Sequence, residues 1–143
     1  MKFRPYSPTD RDACIQLIEE NTPAFFAPQE RADYVAFLDG VPEHYWVLPQ
    51  EQEIIAAFGL KVENARGRIQ WIMTSDKTRG TGIGQRMMQL AIQIAKEAAI
   101  VHIDIAASQL SAPFFARYGA KETTITPDGW GPGLDRVDMV LTL

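Results

Sequence analysis

A single cysteine, Cys14, cannot form an internal disulfide, so nothing here demands an oxidising compartment. Basic residues are not in excess either. With 14 Lys and Arg against 18 Asp and Glu the net charge is -4, the wrong sign for a domain that must meet nucleic-acid phosphates. No apolar run approaches the roughly 18 residues that span a bilayer, and the N-terminal residues lack the apolar core of an export signal. These absences exclude nucleic acid and membrane as partners and leave a cytoplasmic location as the expectation. No metal site is expected, and no repeat or low-complexity segment breaks the chain.

What is present suits one globular domain, residues 1–143, with 46% apolar and 22% charged residues. Residues 2–6 read as a first strand. Ser7, Pro8 and Asp10 supply a helix N-cap, an N1 proline and an acid matched to the helix dipole, and Cys14, Ile15, Leu17 and Ile18 make the apolar stripe that follows. An aromatic connector over residues 24–28 leads to a second helix over 29–38. Strands over 44–48, 53–62 and 68–74 form a meander. A long amphipathic helix runs from Ile83 to Ala99, with Met87 and Met88 as packing residues, and a strand over 100–106 follows it as a right-handed βαβ unit. A short helix over 111–118 ends at Gly119. Two last strands, 121–126 and 136–143, flank a loop dense in glycine and proline over 127–134. The expected architecture is α/β (α+β): a mixed, mostly antiparallel sheet of about seven strands with about four helices on its two faces.

The stretch 76–84 organises these elements. Gly80, Gly82 and Gly84 alternate between a strand and a long helix, where free backbone N–H groups and the helix dipole favour an anion. A dinucleotide fingerprint needs a third glycine at Gln85 or Met87, and a P-loop needs one at Gln85. Both patterns fail. A diphosphate remains a good match to the amides, with Lys77 or Arg79 adding a charge-assisted contact.

Arg79-Gly80-Thr81-Gly82-Ile83-Gly84 after a meander strand, together with Ala107-Ser108, Ser111, Phe114-Phe115 and Gly119 in a later strand and short helix, resembles the GNAT superfamily of N-acetyltransferases. The element order over almost the whole chain matches as well. The resemblance implies acetyl-CoA as co-substrate and transfer of its acetyl group to a primary amine of a small molecule or peptide. It places the CoA diphosphate on Arg79, Gly80, Thr81, Gly82, Ile83 and Gly84, the pantetheine arm along Ile72, Met73 and Thr74, and a further cofactor contact or a helix cap at Ser108. For the oxyanion it implies a backbone donor near Met73. Base candidates are Asp104, which shares a strand face with His102, and Glu63. The segments implied at the acceptor side hold Glu20, Phe26 and Trp130. Many family members carry a proton-donating tyrosine four residues before the glycine of the short helix, where this chain has Phe115. A CoA-binding regulatory domain that lost the chemistry is the alternative that Phe115 leaves open. Exposed edge strands allow a homodimer.

Overall fold

Two pairs of helices cover opposite faces of one sheet in the computed structural model, which describes residues 2–143. In chain order the elements are β1 (Arg4–Pro5), α1 (Arg11–Glu20), α2 (Glu30–Asp39), β2 (Tyr45–Gln50), β3 (Glu53–Glu63), β4 (Arg66–Thr74), α3 (Ile83–Glu97), β5 (His102–Ala107), α4 (Ala112–Ala116), β6 (Lys121–Gly131) and β7 (Leu134–Thr142). The seven strands lie in the order β1-β2-β3-β4-β5-β7-β6. Only β4 and β5 run parallel, joined by α3 as the βαβ pattern requires; every other pair is antiparallel.

Beneath α1 and α2 lies a core built on Ile18, Tyr34, Leu38, Tyr45 and Val47. A larger one beneath α3 and α4 contains Phe58, Met87, Met88, Ile103 and Phe115. The entry to α1 is pinned electrostatically: the Arg4 guanidinium donates to both oxygens of the buried Asp10 carboxylate at 2.7 and 2.8 Å. The Ser7 N–H adds a third bond at 2.9 Å. Together these hold the Asp10 carboxyl below its usual range, the Arg4 hydrogen bond being the largest cause.

Two expectations change. Of residues 2–6 only Arg4 and Pro5 pair as a strand, opposite Val47 and Trp46. Most of the glycine- and proline-rich stretch 127–134 is strand, not loop, since β6 continues to Gly131 and turns back within two residues. A wide bulge accommodates the irregular composition: the register passes from Thr126 opposite Arg136 to Gly131 opposite Leu134. Side chains replace the missing ladder there, with the Asp128 N–H donating to Asp135 Oδ1 at 2.9 Å and the Gly133 N–H to Asp128 Oδ1 at 2.8 Å. Pro127, which has no N–H to give, sits on the edge strand where none is needed.

Candidate active site

The ladder between β4 and β5 lasts for only three pairs, Arg66–His102, Gly67–Ile103 and Arg68–Asp104. Beyond them the strands part, because β4 carries one extra residue relative to β3. The register goes from Gly59 opposite Gln70 to Ala57 opposite Met73, and Trp71 takes a positive φ of 47°, unusual for a bulky residue. Such a bulge bends its own strand, and here it turns β4 with β3 and away from β5.

A cavity of about 590 Å³ fills the opening. On the α3–α4 side it is walled by Gly84, Met87, Phe114 and Phe115; on the α1–α2 side by Asn21, Phe25, Phe26 and Glu30. The cavity therefore passes between the strands and opens toward both faces of the sheet. Ile72, Met73, Thr74, Arg79 and Ser108 line it as well.

The glycine loop forms one rim. Residues 76–78 make a 3-10 turn capped by Ser75, whose hydroxyl accepts from the Lys77 N–H at 3.2 Å. Gly80 and Gly82 then have φ of 73° and 78°, and a side chain at either would meet no atom within 4 Å. Glycine is required by the backbone and not by crowding, and the space over the loop is open. The first α-helical bond runs from the Arg86 N–H to the Gly82 carbonyl at 3.0 Å, so the N–H groups of Gly82, Ile83, Gly84 and Gln85 point out of the helix start. These donors, with the exposed Arg79 beside them, fit a CoA diphosphate.

Lys77 is placed elsewhere. Its ammonium is held by both Glu53 oxygens at 2.6 and 2.9 Å, in a second hollow shared with Glu19, Glu20 and Ser75. Glu20 belongs to that hollow too, where its Oε1 accepts from the Ser75 hydroxyl at 2.9 Å. Neither residue lines the cavity.

The two base candidates are also displaced. Asp104 accepts two bonds from Arg66 at 2.7 and 2.9 Å, which hold its carboxyl below the usual range and make it a poorer proton acceptor. Glu63 ends β3 opposite Arg66, in the region where β4 and β5 remain paired, and its carboxylate lies 3.7 Å from Lys61. Neither lines the cavity. The reason is axial: both sit where β4 and β5 are still paired, and the cavity opens past the last pair, Arg68–Asp104.

Glu30 is the carboxylate that does line the cavity among the described residues, and nothing in the sequence pattern singled it out. It begins α2, and its Oε2 accepts from the Ala27 N–H at 2.7 Å, a local helix-start contact legible only as capping. Burial raises its pKa, opposed in part by that bond. Asn21 was missed as well. Its Nδ2 donates to Leu17 O at 2.8 Å and Thr74 O at 3.1 Å, tying the end of α1 to the end of β4.

Aromatic rings close the α1–α2 side. Phe26 stacks on Trp71 with centroids 6.0 Å apart. Trp130 lines the cavity from the β6 bulge, its indole N–H donating to the Ala107 carbonyl at 2.9 Å, an acceptor at the end of β5 where β4 has departed. Gln29 Nε2 donates to Trp130 O at 2.6 Å and Arg136 lies 5.1 Å from the ring centroid, so the β6–β7 hairpin is fastened to the start of α2. Ser108 acts as a cap: its Oγ accepts from the Leu110 and Ser111 N–H groups at 3.2 and 3.3 Å, while Ser111 Oγ accepts from the Ser108 N–H at 2.9 Å. Phe115 is buried against Phe114, and Tyr118 does not reach the cavity lining.

A splayed pair of parallel strands, with a helix start of free N–H groups at one mouth and an aromatic pocket at the other, is an arrangement that can hold an acyl donor and an acceptor on opposite sides of one sheet. The chain belongs to the acetyltransferase (GNAT) family, whose model matches residues 14–120. It is an acyltransferase, and acetyl-CoA is its co-substrate. Solved structures share the fold over nearly the full chain. Ard1 from Thermoplasma volcanium aligns with a TM-score of 0.82 at 14% identity, covering 99% of this chain and 97% of that one. The ribosomal-protein-S18-alanine N-acetyltransferase from Escherichia coli aligns at 0.79 and 17%, covering 99% and 92%. Rv2747 from Mycobacterium tuberculosis, in complex with CoA and NLQ, aligns at 0.76 and 18%, covering 100% and 99%. Comparison with curated protein sequences returns no match. Among the described residues no helix is long and apolar enough to cross a membrane.

Proposed function

We infer that this enzyme acetylates a primary amine of a small molecule or peptide, with the amine entering from the α1–α2 side of the cavity. The observation that carries the reading is the position of Glu30: a carboxylate with a raised pKa, lining the same cavity as the glycine-loop rim and the Met73 strand. An alkylamine with a pKa of about 10.4 is mostly protonated near neutrality, and a partly desolvated carboxylate both attracts the cation and takes its proton.

Acetyl-CoA supplies an activated acyl group. The chain's own residues do the rest. The N–H groups from Gly82 to Gln85, with Arg79, hold the diphosphate, and the main chain of Ile72, Met73 and Thr74 aligns the arm beside the cavity. A main-chain N–H at this end of β4 is the donor for negative charge that develops on the acyl oxygen. Glu30 takes the ammonium proton and passes it to solvent; as the freed nitrogen bonds to the acyl carbon the carbon–sulfur bond breaks, and the second nitrogen proton is lost to solvent. A thiol with a pKa of about 8.5 needs only water to protonate its leaving thiolate, which is why Phe115 in place of a tyrosine is compatible with turnover. Phe26, Trp71 and Trp130 supply apolar walls for the acceptor.

The test is thiol release from acetyl-CoA with a panel of primary amines. Amine-dependent release that falls at least about a hundredfold in Glu30→Gln, within the range for loss of a general base, supports the reading. Release unaffected by Glu30→Gln removes that residue from the mechanism, and no release with any amine overturns the transferase reading.

A further inference from the structure

On the reading that this cavity acetylates amines, we propose that the acceptor is a free amino acid with a large apolar side chain, its amine on Glu30 and its carboxylate on Arg68.

The argument starts from which arginines are already occupied. On the sheet face toward α2, Arg66 is committed to both oxygens of Asp104 at 2.7 and 2.9 Å. Arg136 is committed to Asp138 at 3.0 Å. Arg68 stands opposite Asp104 in the strand register and adds to the field that lowers the Asp104 pKa, yet both oxygens of that carboxylate accept from Arg66 and not from Arg68. Among the described residues the Arg68 side chain makes no hydrogen bond or ion pair, and it lines the cavity. A guanidinium with five donors and no acceptor beside an apolar pocket is a receptor for a planar anion, which it binds through two parallel bonds.

Glu30 and Arg68 therefore present one negative and one positive group to the same space, with Phe26, Trp71 and Trp130 around them. A few placed polar groups in an aromatic pocket fix a ligand's orientation. A simple alkylamine would satisfy Glu30 and leave Arg68 solvated. A zwitterion uses both groups, and its apolar side chain uses the aromatic walls. The N-terminal residue of a peptide carries an amide in place of that carboxylate, which favours a free amino acid over a peptide end.

The experiment compares matched acceptors by acetyl-CoA thiol release: phenylalanine, leucine and methionine, each against its methyl ester and its decarboxylated amine. The expected result is a kcat/KM about 10- to 100-fold higher for the free amino acid, the span of a charged hydrogen bond. Arg68→Ala should remove this preference through a raised amino-acid KM, and Arg68→Lys should restore part of it. A melting shift on adding acetyl-CoA that persists in both variants confirms that they are folded. Equal kcat/KM for amino acid, ester and amine overturns the anion assignment while leaving the amine-acetylation reading intact. So does an Arg68→Ala effect of the same size on all three. No thiol release with any acceptor overturns both.

Discussion

The Tyr45 hydroxyl donates to the Trp71 carbonyl at 2.7 Å, at the point where β4 leaves its ladder. Trp71 is the bulged residue, so its carbonyl is turned out of register with β3 and needs another donor. Tyr34 OH lies 2.8 Å from Tyr45 OH, and since Tyr45 spends its proton on Trp71, Tyr34 is the donor of that pair. Both rings are buried. The bulge that opens the cavity is thus held by a hydroxyl relay inside the α1–α2 core.

Tyr45→Phe should therefore destabilise the fold by about 1–3 kcal/mol, the cost of leaving buried polar groups without partners. It should also lower kcat more than it raises the KM for acetyl-CoA, because the displaced bulge carries the β4 main chain beside the acyl group while the glycine loop is untouched. Urea denaturation and steady-state kinetics measure the two effects. Unchanged kcat with reduced stability would confine Tyr45 to a packing role.

Gly82→Ala separates backbone conformation from crowding. With φ at 78° and no atom within 4 Å of the added methyl, the penalty is that of forcing an alanine into the left-handed region, about 1–2 kcal/mol. Relief by local rotation would misdirect the N–H groups that begin α3. The acetyl-CoA-induced rise in melting temperature, which scales as RT ln(1 + [L]/Kd), should shrink accordingly. An undiminished rise would mean that these amides do not hold the diphosphate.

Glu30 makes two pH predictions of defined sign. Its folded pKa is raised by burial, so the acidic limb of the kcat/KM profile should lie above the ordinary glutamate range and vanish in Glu30→Gln. Because the fold favours the neutral carboxyl, the associated stability is fully present below the unfolded pKa and is lost as pH rises through the folded one. Glu30→Gln should accordingly gain melting temperature relative to the parent at pH 8 and not at pH 4. The same difference at both values would exclude titration of this group as the cause.

The pair of Arg4 and Asp10 runs the other way. The Asp10 pKa is lowered, so its contribution is present above the unfolded value and lost as pH falls through the folded one. Arg4→Ala leaves a buried carboxylate with only the Ser7 N–H bond. It should cost about 1–3 kcal/mol at pH 7, toward the lower end because Arg4 is half exposed to solvent. The deficit should diminish under acidic conditions. Chemical denaturation at pH 7 and pH 3 tests it, and a deficit independent of pH would assign the effect to lost packing of the Arg4 stem.

Local features were readable wherever the local chain decides them. The glycine loop announced itself because left-handed φ at Gly80 and Gly82 and the bare start of α3 are properties of adjacent residues. The meander and the βαβ unit followed from periodicity and composition, while Phe26 and Trp130 were pointed to by the family resemblance. The buried face of α3 is Ile83, Met87, Met88, Ala91 and Ala95, with Leu90 and Ile94 at its partly buried margin, since what covers a helix is fixed by its neighbours.

Chain order and residue type by themselves carried the family resemblance, the sheet with its crossover, and the glycine turn at the start of α3, because each rests on a local motif or on a periodic pattern. Tertiary structure alone decided which charges meet the cavity. Lys77 is drawn to Glu53, Asp104 to Arg66 and Glu20 to Ser75, partners 24, 38 and 55 positions away. Glu30 from α2 and Arg68 from β4 meet at one cavity beside the opening between β4 and β5. Long-range pairing of charges depends on where strands separate, and that geometry belongs to the folded sheet.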